Sequence, residues 1–143
     1  MSLILPPNME ALVSAFLRDQ DEVTALVGDR VYTALPKAIT WPAVRVTQII
    51  DAPTSGSPLW GIAYSMQVES WGGSKDEAWR IAATCRAAID ARITGVHEGH
   101  GVVNGSEPSS MFDLPDEDFE PAKPRWIVTC TIYGRPLANL GAS

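Results

Sequence analysis

The chain has 143 residues, of which 45% are hydrophobic and 20% charged, and its 11 basic and 17 acidic residues give a net charge of −6. This length predicts one domain, residues 1–143, with enough apolar side chains for a folded core. No apolar run approaches the about 18 residues of a membrane span, and the first residues lack the basic region of a secretory signal. The excess of acidic residues argues against a surface that binds nucleic-acid phosphates. It is compatible with the lining of a channel through which DNA passes without binding.

The chain begins with a predicted helix. Asn8 follows two prolines and is a favourable N-cap, and five apolar residues come after it at helical spacing. These residues are Met9, Leu12, Val13, Phe16 and Leu17. A short second helix is predicted over Glu22–Leu26, ending at Gly28, with an extended segment after it.

Three segments alternate between apolar and polar residues with the period of a strand: Ala43–Ile50, Gly61–Trp71 and Arg125–Tyr133. In the first, Val44, Val46 and Ile50 are expected on the apolar side. Each segment has one apolar and one largely polar face, which predicts an antiparallel sheet covered on one side.

The covering helix is predicted after the second strand. Ser74 and Glu77 form a capping box, and the residues that follow place an apolar stripe on one face. The stripe contains Ala78, Ile81, Ala82, Cys85, Ala88 and Ile89. We expect Cys85 and Cys130 to be buried, reduced neighbours in the core, and their spacing leaves a disulfide open.

Two long connections complete the chain, over residues 51–60 and 94–124, before a short tail at 136–143. A structureless loop as long as 94–124 is unusual in a compact domain, so we expect a strand near Gly101–Asn104 and another near Ser110–Asp113, with the rest exposed. The predicted fold is therefore α+β: a single antiparallel or mixed sheet of about four strands, covered on one face by helices.

Three segments superficially resemble sites of chemistry. His97–His100 contains two histidines and a glutamate without helical ligand spacing, and the acidic run Asp113–Glu120 lacks the spacing of a calcium loop. Gly72–Lys75 lacks the full spacing of a phosphate-binding loop. We interpret the first two as solvated loops, and predict no catalytic residue, cofactor or metal.

Five tryptophans are many for this length. Trp126 and Trp79 have an explanation in the predicted core. Trp60, at the end of a loop, and Trp71, on the polar side of its strand, have none. Two interpretations stay open for them: contact with another protein, or half-buried packing within the fold.

The order of these features resembles the tail-completion, or tail-terminator, proteins of long-tailed bacteriophages and phage-derived particles. The resemblance lies in the segment LVGDRVYTALP at Leu26–Pro36, the strand entry at Trp41–Val44, VESWGGSKDEAWRIAATCRAAID at Val68–Asp90, and the late strand Trp126–Tyr133. It extends from about Glu10 to Arg135.

The resemblance implies a structural protein of the virion neck, made in the bacterial cytoplasm. Such proteins form a ring, usually hexameric, at the head-proximal end of the tail tube, stop tube growth and present a surface to the head–tail connector. DNA is then only passing cargo, and no membrane is involved. A head-to-tail ring leaves two unlike faces, one for each partner.

We therefore predict that the polar sheet face forms a subunit contact or lumen surface. The loops 51–60 and 94–124 are expected to reach neighbouring subunits or the tube. The candidate interface residues are Trp60, Leu59, Trp71, Arg45, Gln67, Glu69 and Arg125, with Thr129 and Thr131 beside them. Two alternatives stay open: a different neck or head–tail connector subunit, and a ligand-binding or hydrolytic α+β domain with a pocket that holds His97, His100 or Asp116.

Overall fold

The computed structural model describes residues 3–54, 61–107 and 109–137. Three helices and seven strands lie in this part of the chain. In order they are α1 (Met9–Arg18), α2 (Asp21–Val27), β1 (Val31–Tyr32), β2 (Ala43–Pro53), β3 (Ile62–Trp71), α3 (Lys75–Arg92), β4 (Gly95–His97), β5 (Gly101–Ser106), β6 (Ser110–Asp113) and β7 (Arg125–Arg135).

The strands form one mixed sheet in the order β1-β2-β3-β7-β5-β4, and β6 pairs with the first half of β7, on the same side as β5. Among the strands that the structure describes, only the pairing of β1 with β2 is parallel. The α+β class is thus confirmed, whereas the expected number of about four strands is wrong. The short strands β1 and β4 contain two and three residues, too few to show an alternation in sequence.

The helix ends follow from local capping. The Asn8 side chain accepts a hydrogen bond from the Ala11 amide at 3.2 Å, and Ser74 Oγ accepts one from the Glu77 amide at 3.0 Å. Gly72 lies directly before this second cap, and a Cβ there would stand 2.7 Å from the backbone nitrogen of Ala78. A glycine at this position therefore lets the β3–α3 connection lie close against the start of the helix.

All three helices contribute to one hydrophobic cluster against one face of the sheet, the inner face. Cys85 and Cys130 are both buried in this core as free thiols. Trp126 packs against the core as expected. Trp79 does not: it is 44% exposed, because it lies on the flank of α3, outside the apolar stripe that faces the sheet.

A β-bulge interrupts β2 between Gln48 and Ile50. The Gln48 amide donates a hydrogen bond to the Glu10 carboxylate at 2.7 Å, so α1 partners the irregular backbone. Because a bulge adds one residue to one strand, it reverses the side to which the following residues point. Ile50 is consequently 63% exposed, and its expected place on the apolar side is wrong.

The connection over residues 94–124 is mostly ordered structure. It contains β4, β5 and β6, and the two strands expected near residues 101–104 and 110–113 are present. The stretch after β6 folds back as a hairpin in which the amides of Asp116 and Lys123 donate to each other's carbonyl oxygens at 2.8 and 3.0 Å. We call residues 114–124 the acidic hairpin. The expectation that this region is an exposed loop is wrong at Asp116, which is 6% exposed.

Candidate assembly surface

The sheet face opposite the helices, the outer face, carries a buried carboxylate at one end. Glu69 is 3% exposed and accepts hydrogen bonds from Arg45 Nε at 2.7 Å and from an Arg125 guanidinium nitrogen at 2.8 Å. Sheet pairing produces this cluster, since Arg45 lies opposite Glu69 and Arg125 opposite Trp71. Two cations around one anion compensate for the loss of water at Glu69.

Trp71 seals the same end of the outer face. It is fully buried, and the guanidinium carbons of Arg45 and Arg125 lie 5.4 and 5.9 Å from its ring centroid. Its indole N–H donates to Asp116 Oδ2 at 2.9 Å. Packing within the fold is therefore the interpretation that holds for Trp71, and the acidic hairpin supplies the partner.

The acidic hairpin is held down by aromatic contacts as well. Trp41 packs between Trp71, at a centroid distance of 5.8 Å, and Phe119, at 5.4 Å, and Lys123 Nζ lies 4.7 Å from the Trp41 ring. Three carboxylates of the acidic run stay exposed at the surface of the hairpin: those of Glu117, Asp118 and Glu120. The hairpin thus covers the charged cluster below and presents carboxylates above.

The remainder of the outer face is open and polar. Gln67, Thr129 and Thr131 are half-buried on it, and a shallow depression of about 220 Å³ lies between Ile49, Ser65, Ser110 and the two threonines. The hydroxyls of Ser110 and Thr129 are hydrogen-bonded at 2.8 Å. Glu107 also lines the depression, so this area combines hydroxyl and amide groups with one carboxylate, all of which can pair with another protein's backbone or side chains.

Beside this area, the edge of the sheet is apolar. Ile49 and Ile50 are 57% and 63% exposed on β2, and β1 pairs only with Val44 and Arg45 of that strand. Exposed apolar side chains on a partly unpaired edge are typical of contact sites between proteins. The bulge that creates this feature has no signal in the sequence, because it depends on the partner Glu10.

The predicted interface residues therefore fall into three groups. Arg45, Glu69, Trp71 and Arg125 form the cluster beneath the acidic hairpin, and Gln67 lies on the open area. Leu59 and Trp60 lie outside the described residues. Sequence reasoning placed neither Trp41 nor Asp116 in this cluster, and for Asp116 the reason is that an acidic run gives no sign of which carboxylate turns inward.

Among the groups considered for catalysis, His100 lies beside His97, its amide donating to the His97 carbonyl at 3.0 Å, whereas Asp116 lies apart from both. His97 Nε2 lies 2.6 Å from the Ile93 carbonyl oxygen, and its ring packs on Phe16. His97 pairs with Gly101, near the Arg135 end of β7, whereas Asp116 lies at the Arg125 end. Ten residues of strand separate these ends by about 33 Å. In the described ranges, no group of three or more His, Cys, Asp or Glu could hold a metal ion.

Burial alters the acidity of several core groups. It raises the pKa of Cys85 to about 12, and the pKa of Cys130 to about 11 with a smaller contribution from Asp90. It also raises the pKa of Tyr64 to about 12, and the phenol donates to the Pro7 carbonyl at 3.0 Å. These thiols are protonated near neutral pH and are poor nucleophiles. No helix among the residues described is long and apolar enough to cross a membrane.

The described residues thus form a small α+β domain with a sealed charged cluster, an open polar sheet face and an apolar edge. The model of the family "Tail completion protein gp17" matches residues 10–133. The chain belongs to this family, which confirms the resemblance found in the sequence. It is accordingly a structural protein of a phage-type virion, located in the tail or neck region.

The fold has a counterpart among solved structures. A chain from the structure titled "Virion of native gene transfer agent (GTA) particle" superposes with a TM-score of 0.57 at 17% sequence identity. The match covers 88% of this chain and 94% of that chain. Comparison with curated proteins gives no match.

Proposed function

We propose that this chain is the subunit of a ring, hexameric as the family resemblance implies, that closes the head-proximal end of a tail tube. The ring stops tube growth and offers its other surface to the head–tail connector. DNA passes through as cargo, and the protein performs no covalent chemistry.

The observation that carries this proposal is the division of the outer sheet face. At one end of this face, Glu69 and Asp116 hold the side chains together through hydrogen bonds within the subunit. The rest of the face is open and polar, and exposed isoleucines border it. The three helices pack on the inner face and form the core with it. The outer face and the β2 edge therefore remain available for contacts with other subunits or proteins. Membership in the tail completion family supports the tail as the partner.

The contacts around Glu69 support a division of roles among the predicted interface residues. Gln67, Thr129 and Thr131 contact a neighbouring subunit or the tube, as do Leu59 and Trp60. Glu69 and Trp71 are closed off from solvent and act by holding this surface rigid, with Arg45 and Arg125 as their partners. The net charge of −6 keeps DNA from adhering to the ring.

Another neck or connector subunit is the second candidate, because the same surfaces would serve a ring that binds the portal side. The hydrolytic alternative named a pocket that holds His97, His100 or Asp116, and the opposite positions of His97 and Asp116 along β7 argue only against a pocket that combines these two.

Electron microscopy of the purified protein, alone and with tail tubes, tests the proposal. We expect rings on one end of each tube and uniform tube lengths when the protein is present during polymerisation. Thr131→Arg, on the open area, should abolish capping without lowering the melting temperature. Glu98→Arg, on the exposed turn between β4 and β5, is the matched control. Binding to isolated portals but not to tubes would favour the connector subunit instead.

A further inference from the structure

The acidic hairpin is attached to the domain outside the hydrophobic core. Residues 114–124 all lie within the described ranges, and none of them belongs to the core cluster. Asp116 is the one buried residue of this segment, and one isolated bridge, between Asp116 and Lys123, pairs its two arms. A segment with few buried apolar contacts and little backbone pairing can open at a low free-energy cost while the rest of the protein stays folded.

The surface beneath the hairpin has a chemistry that suits an anion. Arg45 and Arg125 carry two positive charges there, against the single negative charge of Glu69. Trp71 adds an indole N–H, whose acceptor is Asp116 of the hairpin. If the hairpin opened, this surface would therefore combine an excess positive charge with a free N–H donor. Both features favour a carboxylate, because charge-assisted hydrogen bonds to carboxylates are strong.

The hairpin shows how a ligand occupies this surface. Asp116 Oδ2 accepts the Trp71 indole N–H at 2.9 Å and lies 3.6 Å from a guanidinium nitrogen of Arg125. Three residues further along, the ring of Phe119 packs edge-on against Trp41, at a centroid distance of 5.4 Å and an interplanar angle of 87°. The surface thus accepts a carboxylate and, a short distance away, an aromatic ring.

The residue types that the hairpin covers are those that dominate binding between proteins. Tryptophan and arginine are enriched among the residues whose truncation costs the most affinity at interfaces. In the closed structure Trp71 is fully buried, the Arg125 side chain is 15% exposed and Trp41 is half-buried. A segment outside the core therefore covers the part of the outer face with the composition of a binding site.

We propose that Trp41, Trp71 and Arg125 form a binding site for an acidic segment of a partner protein, one that carries a carboxylate and an aromatic side chain, and that the acidic hairpin is the internal ligand of this site. The hairpin has to open before the partner binds. The apparent affinity of the partner is then reduced by the fraction of molecules in which the hairpin is open. This role goes beyond the proposed function, in which the closed cluster only keeps the outer face rigid.

A peptide-binding experiment with the full chain tests this site. The probe is a fluorescein-labelled peptide with the sequence of residues 114–124, LPDEDFEPAKP, and its binding is followed by fluorescence anisotropy. The wild type is compared with Asp116→Ala/Phe119→Ala, a double variant whose own hairpin lacks both the carboxylate and the ring. The matched control peptide carries the same two alanine replacements.

We expect the double variant to bind the probe at least about tenfold more tightly than the wild type, because its own hairpin no longer competes, and the control peptide to bind neither protein. Phe119→Ala alone keeps the Asp116 contacts and should give an intermediate affinity, which keeps the test decisive if the double variant unfolds. Equal binding of probe and control peptides, equal affinity of wild type and folded variants, or no binding to any form would overturn the inference. None of these results depends on ring formation, so the proposed function would stand.

Discussion

Removal of the Glu69 carboxylate separates a structural role from a direct role in assembly. In Glu69→Ala, the guanidinium groups of Arg45 and Arg125 lose the anion that lies 2.7 and 2.8 Å away. Loss of one partner from a buried ion pair costs about 3–5 kcal/mol of unfolding free energy. The Arg45 side chain is 34% exposed and keeps part of its hydration, so we expect the lower end, about 3 kcal/mol.

Thermal unfolding measures this loss. For domains near this size, 1 kcal/mol corresponds to about 2–4 °C, so the melting temperature should fall by about 6–12 °C. Glu69→Gln keeps an acceptor oxygen and should lose less. The matched control is Glu98→Ala, at an exposed glutamate, where a change within about 0.5 kcal/mol is expected.

The outcome that would refute the reasoning is equally specific. A fall of less than about 2 °C for Glu69→Ala would show that the carboxylate is not a buried, paired group. If that variant also failed to cap tail tubes, Glu69 would be a direct contact, as its place in the polar alternation first predicted.

Three other contacts give measurable effects. Gly72→Ala should lower the free energy of unfolding, measured in urea, by about 1–3 kcal/mol, because the added Cβ overpacks the site. Gly105→Ala is the control, because a Cβ there meets nothing within 4 Å and should cost less. Equal losses for the two variants would contradict the packing argument. Hydrogen bonding from Arg92 lowers the pKa of Glu22 from 4.5 to about 2, so this stabilisation is present above pH 4.5 and is lost as the pH falls towards 2. The difference in melting temperature between wild type and Glu22→Gln should shrink over that range, and a constant difference would disprove the assignment. Asp116→Ala should speed amide exchange in the acidic hairpin while α3 stays protected, and unchanged exchange would show that other contacts hold the hairpin.

The sequence was informative where a single segment determines its own structure. The caps at Asn8 and Ser74, the three long strands and the strands near 101 and 110 all follow from local pattern. The strand count was too low because β1 and β4 owe their pairing to neighbouring strands rather than to their own alternation.

The outer face shows the limit of such reasoning. The alternation of polar and apolar residues correctly places Arg45, Glu69 and Trp71 on the polar side of the sheet. It gives no information about which segment covers that side. The cover comes from the acidic hairpin, more than 40 positions further along the chain, through the single inward turn of Asp116. The predictions for Ile50 and Trp79 are wrong for similar reasons. The bulge in β2 turns Ile50 to the outer face, and Trp79 lies beyond the edge of the apolar stripe on α3.

The central position of β7 has a consequence for biosynthesis. It lies between β3 on one side and β5 and β6 on the other, yet it follows all of them in sequence. While residues 125–135 are still inside the ribosome, both of its neighbours expose unsatisfied backbone groups to whatever strands are nearby. The nascent polypeptide therefore acquires its sheet in one late, non-local step, and crowded translation of many copies is the stage at which mispairing competes with it.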